Sequence, residues 1–331
     1  MTPLRLLATS FSLALVATGA AGACSASGTD TSGNQFPTTT GGPGGSGGGG
    51  TGGAEAGATG TGGDDFFDAG QGQGGSGPDS GLPACAKETQ FIYTLSSDNM
   101  LYKFDPPSLA FTPIGNLDCI KPGVSPFSMA VDRNAQAWVV FTDGTLAQVD
   151  TKNAHCTPTT FAPGQSGFTT FGMGFSSNAP GSTDETLFVS DSSLNGSGST
   201  LGLARIDVKT LKLVPVGKYD KVTARAEMTG TGDARLFAAF EGAPYIVAEV
   251  GKTDAKVLSQ APQMGINSAA GSSNFAFAFW GGDFWLFVGP GTSTDVFQYK
   301  PGTGVTTKVQ STSATIVGAG VSTCAPTKPP S

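Results

Sequence analysis

The chain has 331 residues, of which 50 are glycine and only 13% are charged, and its formal net charge is −7. A chain with this acidic balance has no basic surface to neutralise phosphates, which excludes a general nucleic-acid binder. His155 is the only histidine, so a histidine-rich metal centre is excluded and a histidine-based triad has a single candidate.

Residues 1–23 have the composition of an export signal. Arg5 supplies a positive start, and the apolar stretch after it is short and interrupted by Thr, Ser and Gly. It ends in Ala21-Gly22-Ala23-Cys24, which resembles a bacterial lipobox. The resemblance implies that Cys24 is lipidated and becomes the mature N-terminus. The alternative is ordinary signal-peptidase cleavage after Ala23.

The cysteine count favours the lipoprotein interpretation. Five cysteines in an exported chain leave one without a partner, and Cys24 is the natural odd one. By resemblance to lipoprotein sorting, Ser25 after it implies the outer membrane of a Gram-negative bacterium. We therefore expect an exported protein that is attached to a membrane through Cys24.

Residues 24–84 are predicted to be a disordered linker rich in Gly and Ser. Residues 25–84 contain 22 glycines, and such a sequence cannot bury enough apolar surface to offset the entropy lost on ordering. A coil of this length has a root-mean-square span of about 40 Å. One acidic-aromatic island, DDFFD at residues 64–68, interrupts it. The island is either a short docking motif or a passive apolar spot.

From Cys85 onward the composition becomes strand-forming, and residues 127–159 contain the repeating unit. Four short runs alternate apolar and polar residues and are separated by turns of Asp, Asn and Gly. This pattern predicts four antiparallel strands, which is one propeller blade. The third strands of successive units end at positions 45, 57, 44 and 49 residues apart, a period typical of propellers. These positions are Asp105, Asp150, Asp207, Gly251 and Lys300.

The units add up to an all-β, five-bladed β-propeller of four-stranded antiparallel blades over residues 85–331. The first unit has no inner strand ahead of it, whereas residues 315–324 form an apolar run with no blade after it. We predict that this C-terminal strand completes the first blade and closes the ring, which leaves few exposed edges. A sixth blade hidden in the long third unit is the alternative.

Ring closure also suggests a pairing of the four remaining cysteines. A C-terminal strand in the first blade brings Cys324 beside Cys85, which leaves Cys119 to pair with Cys156 on neighbouring outer strands. Four cysteines permit three connectivities, so the other two pairings stay open.

Two stretches carry a family resemblance. The residues MAVDRN and AWVV, at 129–134 and 137–140, resemble the repeated motif of NHL-type and gluconolactonase-like propellers, as does LYKFDPPSLAFTPIG at 101–115. The resemblance covers most of residues 88–322 and implies the architecture, because propellers of this kind differ widely in function. The metal-binding residues of the gluconolactonase-like enzymes have no counterparts that can be placed on this chain, so their activity is not carried over.

The predicted connections between second and third strands each carry one acidic residue. A ring of carboxylates around a channel mouth would be able to hold Ca²⁺ or the hydroxyls of a sugar. Alternatively, each acid only forms its turn by hydrogen bonding to the local backbone. The five residues are Asp98, Asp143, Asp191, Glu241 and Asp295. The metal is therefore unknown, and no cofactor is predicted beyond this Ca²⁺ hypothesis.

Two further features bear on catalysis and ligand stacking. A glycosidase-type mechanism needs two carboxylates in one cleft, and the inner strands offer Asp132 and Glu227, with Asp184 near a turn. Trp285, together with Trp280, would be able to form a stacking platform for sugar rings, or to pack between blades as core.

These observations predict a lipid-anchored, cell-envelope propeller that acts as a binding or scaffolding module. Its expected partners are the membrane, through Cys24, and a protein or polysaccharide ligand, and we expect a monomer. The alternative function is a carbohydrate-active or lactone-hydrolysing enzyme that uses carboxylates of the loops. A purely structural envelope protein is a third interpretation.

Overall fold

The structure, a computed structural model, describes residues 85–193, 201–266, 274–289 and 291–329. These residues form twenty β-strands and two short 3-10 turns, Lys87–Gln90 and Gln165–Gly167. The strands make five separate four-stranded antiparallel sheets, which confirms the predicted five-bladed propeller over the alternative of six blades within the described part of the chain. The signal segment, Cys24 and the 64–68 island lie outside the described residues.

The strands follow the predicted units, and four blades run from the centre outward along the chain. Blade 1 begins at its second position with β1 (Ile92–Ser96), β2 (Met100–Asp105) and β3 (Ala110–Asn116). Blade 2 consists of β4 (Pro126–Val131), β5 (Gln136–Phe141), β6 (Leu146–Asp150) and β7 (Cys156–Pro158). Blade 3 consists of β8 (Phe171–Ser177), β9 (Glu185–Asp191), β10 (Leu203–Asp207) and β11 (Lys212–Gly217).

The remaining strands complete the ring. Blade 4 consists of β12 (Ala226–Gly230), β13 (Leu236–Phe240), β14 (Tyr245–Val250) and β15 (Val257–Gln263). Blade 5 consists of β16 (Asn274–Trp280), β17 (Asp283–Gly289), β18 (Thr294–Lys300) and β19 (Val305–Thr312). The last strand, β20 (Ile316–Val321), pairs antiparallel with β1 and so becomes the inner strand of blade 1. The predicted closure by the C-terminal strand is confirmed.

Both predicted disulfides are present. Cys85 is bonded to Cys324, with 5.9 Å between their Cα atoms, and Cys119 is bonded to Cys156, with 5.4 Å. Structural disulfides are typical of extracellular or periplasmic proteins. No helix among the described residues is long and apolar enough to cross a membrane.

Apolar side chains fill the spaces between neighbouring blades. An internal strand of a blade is covered on both faces, so both of its alternating side-chain sets are buried. Between blades 5 and 1, for example, the Phe104 ring meets the rings of Trp285 and Phe287 edge-on, each with centroids 5.5 Å apart. Edge-on aromatic pairs of this kind are favourable beyond their buried area.

The inner strands approach each other closely because they carry residues without large side chains. A Cβ atom built on Gly172 of β8 would lie 2.1 Å from the backbone oxygen of Ala226 in β12. On the other side of the ring, a Cβ on Gly318 of β20 would lie 3.0 Å from the backbone nitrogen of Met129 in β4. At these two contacts neighbouring inner strands therefore pack backbone against backbone.

Antiparallel blades place their connections on two opposite faces. One face carries the connections from second to third strands and those between blades, and we name it the loop face. The opposite face carries the connections from first to second and from third to fourth strands, and we name it the turn face. The five connections predicted to carry acids all belong to the loop face, but Asp191 is the last residue of β9 and Asp295 is the second residue of β18.

Candidate functional site

Two of the five loop-face acids make local turn contacts. Asp98 is exposed and accepts a hydrogen bond from the Ser96 hydroxyl. Asp143 accepts a 3.0 Å bond from the Thr145 amide and lies 3.5 Å from the Lys121 ammonium. Partial burial acts to raise the pKa of Asp143, but the hydrogen bonds from Thr145 and the charge of Lys121 together outweigh it and lower this pKa. Both residues thus act as turn-forming acids.

Two further loop-face acids are engaged in ion pairs. Glu241 forms a two-point pair with Arg225, whose Nη2 lies 2.9 Å from Glu241 Oε1. The Asp295 carboxylate lies 2.8 Å from Lys308 and accepts a 2.8 Å bond from the Ser311 hydroxyl. These pairs bridge neighbouring strands of their own blades, and neither brings two acids together.

Asp191 differs from the other four because it is fully buried. Its carboxylate accepts hydrogen bonds from the Ser193 amide at 3.2 Å and the Leu201 amide at 3.4 Å. These amides flank the long connection of blade 3, so Asp191 joins the two ends of that connection. Residues 194–200 between them lie outside the described residues.

The acids of the loop face therefore do not converge on one site. Within the described ranges, no group of three His, Cys, Asp or Glu residues is placed to hold a metal ion. The Ca²⁺ hypothesis gains no support from this arrangement, and ligand binding by the five acids stays a prediction.

The two tryptophans are core residues, so of the two interpretations the core one holds and the stacking platform does not. Trp285 is 3% exposed and donates a 3.3 Å bond from its indole nitrogen to the Trp280 carbonyl. Trp280 is 7% exposed and donates a 2.7 Å bond to the Gln90 carbonyl. Their rings are covered by blade 1, so neither presents a face to a ligand.

The central acid of the propeller is Glu227 on β12. Its side chain is buried and accepts a 2.6 Å hydrogen bond from the hydroxyl of Ser128 on β4, across the ring from blade 4 to blade 2. Burial raises the pKa of Glu227 to about 8, against the opposing effects of the Ser128 hydrogen bond and the charge of Arg225. The carboxyl is therefore mostly protonated at neutral pH.

The other two acids considered for catalysis do not join Glu227 in a cleft. Asp132 caps the turn after β4 by accepting bonds from the amides of Asn134, at 2.8 Å, and Gln136, at 2.9 Å. This arrangement makes Asp132 a turn residue. Asp184 is exposed on the turn face. A pair of carboxylates flanking a common cleft is thus not formed by these three acids.

Glu185, which the sequence analysis did not single out, lies in a buried polar cluster on the turn face. Its two oxygens accept bonds from the Arg133 amide at 2.7 Å and the Thr323 hydroxyl at 2.8 Å. Burial raises the pKa of Glu185 to about 7, and the charge of nearby Asp132 adds to this effect. The cluster connects blades 2 and 3 with the segment that follows the closing strand.

That C-terminal segment, residues 322–329, crosses the turn face. Thr323 contacts blades 2 and 3 through the cluster just described, and its carbonyl oxygen lies against Gly232 in blade 4, where a Cβ atom would collide with it. Further along, the Pro326 carbonyl accepts a 2.7 Å bond from the Gly281 amide in blade 5. A segment that touches these blades in turn covers the centre of the turn face.

One apolar pocket lies on the loop face, at the connection between blades 1 and 2. We name it the blade 1–2 pocket, and its space is about 60 Å³. Its floor and walls come mainly from apolar residues of this connection and of blade 2, with Lys121 at the rim. The apolar lining residues are Ile120, Val124, Phe141, Leu146, Ala147 and Pro158.

His155 is a surface residue. Its Nδ1 lies 2.7 Å from the carboxylate of Asp118, and both side chains are more than half exposed. This pair lies beside the Cys119–Cys156 disulfide and has no nucleophile among its contacts within the described residues. The single histidine is not part of a triad there.

Comparison with known proteins yields structural similarity without sequence similarity. No protein-family model and no curated protein matches the chain. A chain of a nidogen/laminin complex is 7% identical over 70% of this chain and 97% of that chain, with a TM-score of 0.45. A luciferin-regenerating enzyme is 11% identical over 70% of this chain and 75% of that one, with a TM-score of 0.41. The Dos1 propeller is 15% identical over 71% and 56%, with a TM-score of 0.36. At these values the similarities assign neither family nor function.

Proposed function

We propose that this chain is an exported, lipid-anchored propeller that binds a protein or a polysaccharide through its loop face. The observation that supports this proposal is the unequal coverage of the two faces. The C-terminal segment crosses the turn face, and Cys85, where the linker joins the propeller, is bonded to Cys324 in that segment. The loop face is therefore the one that neither the tail nor the attachment point occupies.

Asp132, Asp184 and Glu227 do not flank a common cleft, which favours a binding role over catalysis. Glycoside hydrolysis uses two carboxyl groups about 5–9.5 Å apart around an accessible bond. Glu227 has the raised pKa expected of a general acid. This is the observation that favours the alternative function of a carbohydrate-active or lactone-hydrolysing enzyme. The Glu227 side chain is only 3% exposed, however, so a substrate would have to separate the inner strands to reach it.

A ligand of the loop face should raise the thermal midpoint of the full chain. We expect one class among calcium, polysaccharides and lactones to do so, because a ligand that binds only the folded state stabilises it by about 2.7 kcal/mol at 100 times its Kd. Asp143→Asn should reduce this shift. Asp254→Asn, which changes an exposed acid on the turn face, should leave the shift intact and serves as the matched control.

Two results would redirect the proposal, and a third would identify the class of partner. Equal effects of Asp143→Asn and Asp254→Asn would contradict binding at the loop face. Turnover of a lactone or glycoside that is lost in Glu227→Gln would establish the enzymatic alternative. Capture of one envelope protein, with no shift from any small ligand, would identify the partner as a protein.

The anchor can be tested separately in a Gram-negative host. Cells that are fed a labelled fatty acid should incorporate the label into the chain, and Cys24→Ala should abolish it and release the protein from the outer-membrane fraction. Ala23→Gly keeps a small residue before the cysteine and should retain the label. An unlabelled parent chain that begins at Cys24 would instead support ordinary signal-peptidase cleavage.

A further inference from the structure

The blade 1–2 pocket has the features of a docking site for an aromatic side chain. Its apolar wall includes Ile120 and Val124, which are only partly buried and lie at the edge of the core between blades 1 and 2. The disulfide between Cys119 and Cys156 fixes this connection to blade 2. An apolar recess on a rigid support is thus left open on the loop face.

The rim of the pocket is positively charged at one point. The Lys121 side chain is 61% exposed, and its ammonium group lies 3.5 Å from the Asp143 carboxylate. Asp143 also accepts bonds from the amide and hydroxyl of Thr145. Because the ammonium has three donors and is largely solvated, Lys121 is able to meet a second carboxylate without leaving Asp143.

The linker of the same chain contains a segment with matching chemistry. The island at residues 64–68 places two phenylalanines between acidic residues. Residues 24–84 contain six acidic residues and no lysine or arginine, so every charge in the linker is attracted to a cationic rim. The acids of the linker are Asp30, Glu55, Asp64, Asp65, Asp68 and Asp79.

The length of the connection allows this segment to reach the pocket. Residues 69–84 separate the island from Cys85, and these residues extend to about 55 Å at most. The radius of gyration of a domain of this size is about 18 Å, so the loop face is within reach. A short flexible connection gives an effective concentration in the millimolar range, so that even a weak contact within one chain is well populated.

We propose that the 64–68 island docks into the blade 1–2 pocket of its own chain. One ring, from Phe66 or Phe67, enters the pocket, and the flanking acids surround Lys121. The pocket is smaller than the cavity of about 150 Å³ that encloses a benzene molecule, so it receives the edge of one ring while the second covers the apolar rim. Docking shortens the free linker to residues 24–63 and holds the propeller closer to its anchor.

Carbodiimide coupling of the full chain tests this contact directly, because it joins a carboxylate to an amine without a spacer. We expect amide links from Lys121 to Asp64, Asp65 or Asp68 at several times the yield of links from Lys152 or Lys209, which are also exposed surface lysines. The Lys308–Asp295 pair, at 2.8 Å, provides an internal reference for the coupling yield.

Substitution in the linker separates docking from simple charge attraction. Replacing both Phe66 and Phe67 by Ser keeps all the acids of the linker and changes no residue of the blades. The double substitution should reduce the yield of Lys121 links by about fivefold or more, because the loss of apolar burial weakens the contact. Phe36→Ser, at the other aromatic residue of the linker, should leave them unchanged.

Three outcomes would overturn the proposal. The first is a yield at Lys121 no higher than at Lys152 and Lys209. The second is a yield that the double Phe substitution does not change, since the contact would then be purely electrostatic. The third is linkage between chains in a mixture of isotopically labelled and unlabelled protein, because the pocket would then bind the island of another copy.

Discussion

Raising the pH from about 5 to 9 should remove about 4 kcal/mol that Glu227 contributes to the free energy of unfolding, and Glu227→Gln should abolish this part of the pH dependence. Glu227 has an ordinary pKa of 4.5, which burial raises to about 8 in the folded protein. The folded state therefore binds more protons than the unfolded state between these values. Stability therefore falls as pH rises through this window. The size of the fall follows from about 1.36 kcal/mol for each pKa unit.

Urea unfolding at pH 5, 6, 7, 8 and 9 measures this effect through linear extrapolation. The Glu227→Gln substitution keeps the side-chain volume and a neutral hydrogen-bonding group beside Ser128, so the variant should be more stable than the parent at pH 9. Glu185→Gln should remove a smaller loss that begins at the same pH and is complete at lower pH, because the pKa of Glu185 is raised only to about 7.

A second variant distinguishes a direct role of Glu227 from a general effect of alkaline pH. Ser128→Ala removes the hydroxyl that stabilises the charged carboxylate, which should raise the pKa of Glu227 further and extend the loss of stability to higher pH. A parent protein with no loss between pH 5 and 9, or a Glu227→Gln variant that loses stability as steeply as the parent, would contradict this account of the centre.

Gly172→Ala should be the most damaging single-methyl addition in the inner ring, lowering the free energy of unfolding by about 4 kcal/mol or more. The new Cβ would lie 2.1 Å from the Ala226 oxygen and 2.8 Å from the Glu227 Cα. Both are backbone atoms, so no side chain can rotate away, and an ordinary contact would require 3.4 Å. Strands β8 and β12 would have to separate by about 1.3 Å to reach that distance from the oxygen.

A graded series of glycine variants shows whether space decides the cost. A Cβ on Gly302 meets nothing within 4 Å, so Gly302→Ala should be neutral or slightly stabilising. A Cβ on Gly115 comes within 3.3 Å of the Asn153 oxygen, so Gly115→Ala should cost about 1 kcal/mol. If Gly172→Ala fails to fold while the other two variants fold, the result agrees with the prediction. If Gly172→Ala is as stable as Gly115→Ala, the prediction is refuted.

The tightness of the inner ring and the position of the C-terminal segment have a common consequence for function. Close contacts such as that between Gly172 and Ala226 leave little room for a ligand at the centre, and residues 322–329 cover the turn face. Binding is therefore best sought on the surface of the loop face. Docking of the 64–68 island at the blade 1–2 pocket would occupy part of that surface and would compete with an external ligand there.

Much of the architecture was predictable from local sequence. Alternation of apolar and polar residues, and turn residues such as Asp143 and Gly144, act within a few positions, so each strand is encoded by its own segment. The first unit lacks an inner strand, and the final apolar run at residues 315–324 has no blade after it. Together these two features predicted that the last strand, β20, closes the ring. The same closure placed Cys324 next to Cys85, and this pairing is present.

The chemistry of the site was predictable only in part. Asp98, Asp143 and Glu241 lie in the predicted connections, whereas Asp191 ends β9 and Asp295 lies in β18. The partners of these acids were not predicted. Alternation indicates that the side chains of a strand point to two faces, but it does not show which of these faces another blade covers. Trp285 therefore had two interpretations, as a platform or as core, and the neighbouring blade 1 makes it core.

The sequence by itself determined the all-β class, the blade period, the ring closure and the cysteine pairing favoured by that closure, because these depend on short-range patterns and on a count of strands. Tertiary structure alone decided which acids are buried. Glu185 contacts Arg133, 52 residues away, and Thr323, 138 residues away, while Glu227 contacts Ser128, 99 residues away. The pKa of a carboxyl depends on its desolvation and on its neighbours in space, and both arise only when distant blades come together.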